Sequence, residues 1–213
     1  ISGDGISDAA IVAEEIGRHV QPGPFVPMNV VAATLGRHGS DAQRSRWLGP
    51  LVAADLVATW AFADQHGGWD GGTGVELVGR SLRGTRGFVQ DAIAADVLLV
   101  TAARAGVPVQ ALVPRDADGV QIEPLESLDL SRRFAHVHLD GVAVDDVDVI
   151  DGVDLDAQLR TAIALNAADT VGAVDHLLTM TVEYAKDRIA FGRPIGSFQA
   201  LKHVLADQAM LLE

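Results

Sequence analysis

Arg188, Phe191 and Gln199 stand in one run near the C-terminal end of the chain, Tyr184-Ala-Lys-Asp-Arg188-Ile-Ala-Phe191-Gly192-Arg193-Pro-Ile-Gly-Ser-Phe-Gln199-Ala-Leu-Lys-His203. A guanidinium fork takes phosphate or carboxylate oxygens two at a time, and a ring and an amide beside it can stack on and hydrogen-bond a flat polar ligand. Taken alone, an arginine at a helix end is more often a cap or half of an ion pair. A second cluster, Ala63-Asp64-Gln65-His66-Gly67-Gly68-Trp69-Asp70, precedes Arg83-Gly84-Thr85-Arg86-Gly87-Phe88-Val89-Gln90-Asp91. On its own it reads equally as a turn between two strands, with Phe88 as core. His136 and His138 alternate along an apolar run and share a face, but no third metal ligand lies near them in sequence. Glu14 and Glu15 are adjacent on a helix, so they do not share a face and read as solvated or cap-related.

The elements that must position these groups change character along the chain. From Ser7 to Arg18, Ala9, Val12, Ala13 and Ile16 recur at helical spacing behind Ser7-Asp8 as a cap. A Pro-rich stretch leads into a second apolar segment ending at Gly36, and Ser40 with Gln43 forms a capping box for a third helix that carries Trp47. Short apolar runs then dominate: Val57 to Ala63, Val75 to Val78, Phe88 to Val89, Val97 to Ala103, Val109 to Val113, Val120 to Ile122, Phe134 to Leu139 and Val142 to Val144. With no room for helical crossovers between them, they predict an antiparallel barrel or sandwich. After the acidic stretch Asp145 to Asp156, read as a solvated linker, Leu155 to Arg188 holds no Pro and forms one long helix. Leu159, Ile163, Ala173, Leu177, Met180 and Tyr184 share a stripe on it. A last helix runs from Phe198 with Ser197 as its cap. The predicted fold class is α+β and multidomain: a helical N-terminal part (1–55), a middle β domain (56–150) and the start of a four-helix bundle (151–213). Trp47 and Trp60 read as core.

Composition narrows the partners. The chain has 213 residues, and 29 acidic against 16 basic ones give a net charge of −13, which repels phosphate backbones and anionic lipid surfaces. Neither nucleic acid nor membrane is expected as a partner, and any large anion needs a locally basic pocket. There is no cysteine, which excludes disulfides, thiolate nucleophiles and Cys-ligated zinc. No apolar stretch reaches membrane-spanning length, and the default location is cytoplasmic. The sequence opens on Ile1 in a Gly-rich loop and closes at Glu213 inside a helical run, so both ends look like cuts through a longer protein.

The run around Arg188 resembles the bundle signature of FAD-dependent acyl-CoA dehydrogenases, Y-A-x-x-R-x-x-F-G-x-x-x-x-x-x-Q. Val12-Ala-Glu14-Glu15-Ile-Gly17-Arg18 is similar to the family's helical-domain motif. The resemblance implies FAD as cofactor, with Arg188, Phe191 and Gln199 reaching the FAD of an adjacent subunit. Ala63 to Asp70 lies where the family has T-E-P-x-A-G-S-D, and Arg83 to Asp91 where it has N-G-x-K-x-W-I-T-N. By that resemblance Phe62, Ala63, Asp64, Phe88, Val89 and Gln90 edge the flavin, Trp69 and Tyr184 face substrate, and no metal is involved. Three positions depart from the pattern: Ala63 has lost a hydroxyl, Trp69 replaces a serine, and Gln90 replaces a threonine that bonds the flavin near N5. The span from Asp70 to Gly84 is also shorter than the family's.

The resemblance further implies a reaction. The α-proton of an acyl-CoA thioester is removed, the β-hydride passes to flavin N5 and electrons go on to an electron-transfer flavoprotein. The assembly is a homo- or heterotetramer. The base is a Glu beyond Glu213 in most members, and the alternative position on the first bundle helix falls near Ala162, which takes no proton; the substrate-side Arg falls near Ile163. Three readings stay open: a catalytic dehydrogenase subunit, a non-catalytic partner that completes the FAD site of a heterotetrameric (α2β2) bacterial member, and an oxidase or monooxygenase of the same fold. The division favours a heteromer, because groups for the chain's own flavin are altered and those for a neighbour's are kept.

Overall fold

The run from Val97 to Ala102 is apolar at every position but Thr101, without alternation, which a strand covered on both faces requires. In the computed structural model, which describes residues 5–69 and 74–212, this strand is the pivot of a curled sheet. Its Leu98, Val100 and Ala102 face a core shared with Val75, Leu82, Val89, Val109, Ala111, Val137 and Leu139. Its Val97 and Leu99 face a second core with Val31, Leu35, Trp47, Leu51 and Ile150, contributed mainly by helices. The described residues divide into two compact units, Pro22–Ala162 and the pair Ile1–Gln21 with Ile163–Glu213.

In chain order the elements are α1 (Ile6–Arg18), α2 (Phe25–His38), α3 (Asp41–Gln43), a π turn (Arg44–Leu48), α4 (Gly49–Val52) and β1 (Ala58–Ala61). Next come β2 (Val75–Val78), β3 (Ser81–Gln90), β4 (Val97–Arg104), β5 (Val107–Pro114), β6 (Val120–Pro124), β7 (Phe134–Ala143) and β8 (Val149–Ile150). The chain then runs through α5 (Leu155–Asp187), β9 (Ile189–Ala190), β10 (Arg193–Pro194) and α6 (Gln199–Leu212).

The first unit is built on a sheet in the order β6-β7-β3-β2-β4-β5-β8, with β1 added beside β4. Among the described residues no ladder joins β6 to β8, so the sheet curls like a sandwich without closing as a barrel. It is mixed where the sequence predicts a purely antiparallel one: β1 and β2 both pair with β4 in parallel. The argument from missing crossovers constrains only consecutive strands; β1 reaches β4 after the chain has passed through β2 and β3. β7 is one strand through Gly141, the extra residue at the register shift between Leu82/Arg83 and Val142/Asp140, rather than the two runs read from sequence.

The predicted capping box forms, with Gln43 N donating to Ser40 Oγ at 3.2 Å and Ser40 N to Gln43 Oε1 at 2.8 Å. Gln43 is buried, and its Nε2 also donates to Val147 O and Val149 O. The acidic stretch is therefore more than a solvated linker. Asp148 is buried against Arg46 Nη1 and Trp47 Nε1 (3.0 Å each), Asp145 pairs with Arg80, Asp151 with Arg104, and Asp154 caps α5 through Ala157 N. Charge runs read as solvent-facing when the arginines that answer them lie far away in sequence.

The second unit packs α1 on the part of α5 that follows Ile163. Gly17 lies against the Asp169 backbone and Gly172 against Glu14 O and Arg18 N, so closely that a Cβ at either glycine meets main chain. Arg18 then gathers Glu14 (2.8 Å), Glu15 (3.1 Å) and Asp175, which gives the adjacent glutamates a common partner one turn on. α1 starts at Ile6 behind Gly5 with no side-chain cap, so Ser7-Asp8 lies inside the helix. α5 is 33 residues long, about 50 Å at 1.5 Å per residue. Much of its predicted stripe, Ile163, Leu177, Met180 and Tyr184, is exposed. The last helix begins at Gln199, one residue after the predicted start.

A buried chain of amides ties the helices of the first unit to its sheet. Gln158 Nε2 donates to Thr34 Oγ1 and to Gln110 Oε1 (2.8 Å each), Gln110 Nε2 donates back to Gln158 Oε1 at 2.8 Å and reaches Thr101 Oγ1 at 3.0 Å. Replacing one partner strands the others away from water, which costs about 1–3 kcal/mol. Gln158→Leu is predicted to lower unfolding free energy in urea by that amount, and Gln110→Leu with Gln158→Leu together by less than the sum of the two single changes.

Candidate functional site

The loop after β1 is held to β3 by two devices. Arg86, fully buried in β3, donates from Nη1 to Phe62 O at 2.8 Å and from Nε and Nη2 to Thr101 O at 2.8 and 2.5 Å. Gly87 N donates to Ala63 O at 3.1 Å, and a Cβ on Gly87 would meet Asp64 O at 2.5 Å and Gln65 Cα at 2.9 Å. The loop itself is folded around Asp64, whose carboxylate accepts from His66 N at 2.6 Å and Gly68 N at 3.0 Å. Those Gly68 and His66 backbone donors hold its carboxyl below the ordinary value of 3.8.

β3 then bulges. Arg86 pairs with Val137 and Val89 with Ala135, so Gly87 and Phe88 together face the single residue His136. Phe88 takes φ 50°, and the bulge turns its ring out of the sheet to half-exposure, resting on Gly67 and edge-on to His136 at 5.8 Å. Val89 returns its side chain to the core, 1% exposed. The Gln90 amide is engaged, with Nε2 donating to Gly23 O at 3.1 Å, and Gln90 O accepts from Thr59 Oγ1 at 2.5 Å. Phe62 is buried and stacks on Trp60 with ring centroids 4.5 Å apart. Trp69 is exposed, and Asp70 lies outside the described residues. The structure thus brings Phe62, Ala63, Asp64 and Phe88 into one neighbourhood, while Val89 offers a ligand only its backbone.

The second cluster is a hairpin. β9 and β10 pair through Arg193 with Ala190 and Pro194 with Ile189, and Ile195 N donates to Arg188 O at 2.8 Å, carrying the register one step further. The turn puts Phe191 at φ 53° beside Gly192 and leaves its ring 95% exposed. Arg188, Gln199 and Tyr184 are exposed too. Among the described residues no carboxylate pairs with Arg188, and Gln199 Nε2 lies 3.3 Å from His203 Nε2 one turn along α6. An exposed guanidinium and ring on one short hairpin, with an amide at the start of the helix that follows, can grip the phosphates and flat edge of a nucleotide.

His136 and His138 do lie 6.2 Å apart ring to ring, but His138 is spent on Glu123 Oε2 and Thr85, at 3.0 Å each. Among the described residues no three His, Asp or Glu side chains gather as metal ligands. Trp47 is core; Trp60 is half-buried, and its Nε1 and His136 Nδ1 are buried without a hydrogen-bond partner. Sequence reasoning assigned nothing to Arg86, Gly87, Gly23 or Phe198. The glycines at 84 and 87 flanking a basic residue inside a strand were the available signal for the bulge.

Two family models match the ends of the chain: "Acyl-CoA dehydrogenase, N-terminal domain" over residues 2–55 and "Acyl-CoA dehydrogenase, C-terminal domain" over residues 157–213. The chain is 33% identical over 210 residues to the acyl-CoA dehydrogenase FadE27 of Mycobacterium tuberculosis, covering 96% of this chain and 55% of that one. It superimposes with TM-score 0.86 and 31% identity on a variant of the Tcur3481-Tcur3483 steroid ACAD, over 97% of this chain and 57% of the other. Against the ChsE4-ChsE5 complex of M. tuberculosis the TM-score is 0.86 at 26% identity, over 100% of this chain and 60% of the other. The chain spans about half the length of the curated relatives it matches.

The Asp64 turn carries a pH signature. A carboxyl whose folded pKa is depressed contributes stability that is fully present above the unfolded value, and that contribution is lost as pH falls through the folded value. The Gly68 amide resonance, followed by NMR, is predicted to titrate with a midpoint below 3.8 and to lose that transition in Asp64→Asn. A midpoint at or above 3.8 contradicts the turn described.

Proposed function

The chain belongs to the acyl-CoA dehydrogenase family, and on that premise we propose that it is a subunit of an FAD-dependent acyl-CoA dehydrogenase that completes a neighbouring protomer's cofactor site. The observation that carries this reading is the hairpin after α5. It presents Arg188 and Phe191 to solvent, with Gln199 exposed at the start of α6 and no carboxylate on Arg188 among the described residues. These donors suit FAD, whose diphosphate asks for a guanidinium and whose flat rings ask for an aromatic face. When bound, FAD would supply the hydride acceptor for α,β-desaturation of an acyl-CoA thioester. Phe88, lifted out of the sheet by its bulge, offers a ring for the flavin edge; Asp64 holds the loop beneath it, Phe62 and Ala63 line that loop, and Val89 contributes main chain. Trp69 and Tyr184 are assigned to the acyl-CoA side. An electron-transfer flavoprotein as electron acceptor, a cytoplasmic location and a tetramer belong to the same proposal, as does the division into 1–55, 56–150 and 151–213. No helix among the described residues is long and apolar enough to cross a membrane.

One observation favours the non-catalytic form of this reading. Gln90 stands where the family bonds the flavin near N5, yet its amide is committed to Gly23 O. Ala63 brings no hydroxyl, and Ala162, at the alternative base position on α5, takes no proton. A subunit that lends its hairpin to a neighbour while its own flavin edge keeps the Phe88 ring but lacks its hydrogen-bonding groups fits an α2β2 assembly.

The test is cofactor stoichiometry by absorbance at the flavin band. Purified alone, the protein is predicted to hold well under one FAD per protomer, and to reach full occupancy per catalytic protomer when co-expressed with its partner. Full FAD and turnover in the homomer overturn the non-catalytic form. In whichever assembly holds FAD, Arg188→Ala is predicted to weaken its retention about tenfold or more.

A further inference from the structure

The geometry points to Arg193 as a second guanidinium for the same dinucleotide diphosphate, held in place by Phe198; this rests on the FAD reading above. In an antiparallel pair, residues directly opposite share a face and residues two apart on one strand share it again. Ala190 faces Arg193, and Arg188 lies two residues before Ala190 and opposite Ile195. Arg188 and Arg193 therefore emerge on one face of the hairpin as diagonal neighbours, at a spacing of about 7–8 Å that long side chains bridge easily. Ala190 and Ile195 take the other two strand positions of that face. Two forks on one face, over small and apolar neighbours, match two linked phosphates, one fork to each.

Three further facts set Arg193 apart from an ordinary surface arginine. Its guanidinium carbon sits 4.2 Å from the Phe198 ring centroid, a cation–π contact that restricts the side chain before any anion arrives. Phe198 also meets Phe191 edge-on at 6.2 Å, so one half-buried ring orders both the guanidinium and the exposed aromatic. And no carboxylate pairs with Arg193 among the described residues, whereas Arg18, Arg46, Arg80, Arg83, Arg104 and Arg133 all have one. The segment from Arg188 to His203 contains Arg188, Arg193 and Lys202 and not one Asp or Glu, in a chain of net charge −13. A locally basic face in an acidic protein concentrates an anion there.

The probe is ADP, which carries the diphosphate without the flavin ring, together with FAD retention by fluorescence in the assembly that holds it. Arg193→Ala is predicted to weaken both about tenfold, to flatten the dependence of ADP binding on salt, and to leave the circular dichroism spectrum unchanged. Arg193→Lys, which keeps the charge but loses the fork, is predicted to recover only part of the loss. If Arg188→Ala weakens ADP and FAD while Arg193→Ala matches the unmodified protein, the second guanidinium is refuted and the FAD reading stands. If neither substitution changes either ligand, both the inference and the reading beneath it fail.

Discussion

The buried Arg86 guanidinium is the interaction on which the sheet unit's candidate site depends. Its bonds to Phe62 O and Thr101 O tie β3 to the end of β1 and to β4, and Gly87 N closes the same seam on Ala63 O. With the loop anchored there, β3 must accommodate Gly87 and Phe88 against His136 alone, and the surplus residue swings Phe88 to the surface. A strand without that surplus would send the Phe88 ring into the sheet and leave no aromatic at the loop's edge. The half-exposed ring is therefore a consequence of backbone counting, secured by a cation that never reaches solvent.

The hairpin of the second unit solves a different problem with the same economy. A two-residue pairing is too short to be stable by its own ladder. It is fixed instead by the helix on either side, with Gly196 pressed on the Ala185 backbone and Ile195 N bonded to Arg188 O. That arrangement spends few side chains on structure, which leaves Arg188, Phe191, Arg193 and Gln199 at the surface. The two units thus differ in what they keep: Asp64 in the loop beneath Phe88 and Gln90 on β3 are bonded internally, whereas Arg188 and Arg193 on the hairpin have no carboxylate partner among the described residues.

Helix existence and much of the strand pattern were legible in the sequence because both follow from periodicity and punctuation that act locally. The Ser40–Gln43 box and the Leu155–Asp187 helix match closely, since a cap and a Pro-free apolar stripe need nothing from the rest of the chain. What was not legible depends on residues far apart. The parallel placement of β1 on β4 joins segments separated by two strands, and the burial of Asp148 depends on Arg46 and Trp47, about a hundred positions away. For the candidate sites, Arg188, Phe191 and Gln199 stood out as candidates because their chemistry and spacing sit in one contiguous run. Arg86 and Phe198 were not, because each acts by touching a group whose position only the fold defines.

The role proposed for this hairpin is to clasp the nucleotide part of a flavin shared between protomers. An experimental structure of the FAD-loaded assembly tests it most directly. In that structure the Arg188 guanidinium is predicted to lie within hydrogen-bonding distance of the diphosphate, with the FAD carried mainly by another protomer and the Phe191 ring against it. A structure in which the diphosphate lies on other residues, with Arg188 and Phe191 facing solvent or another protein surface, would contradict it.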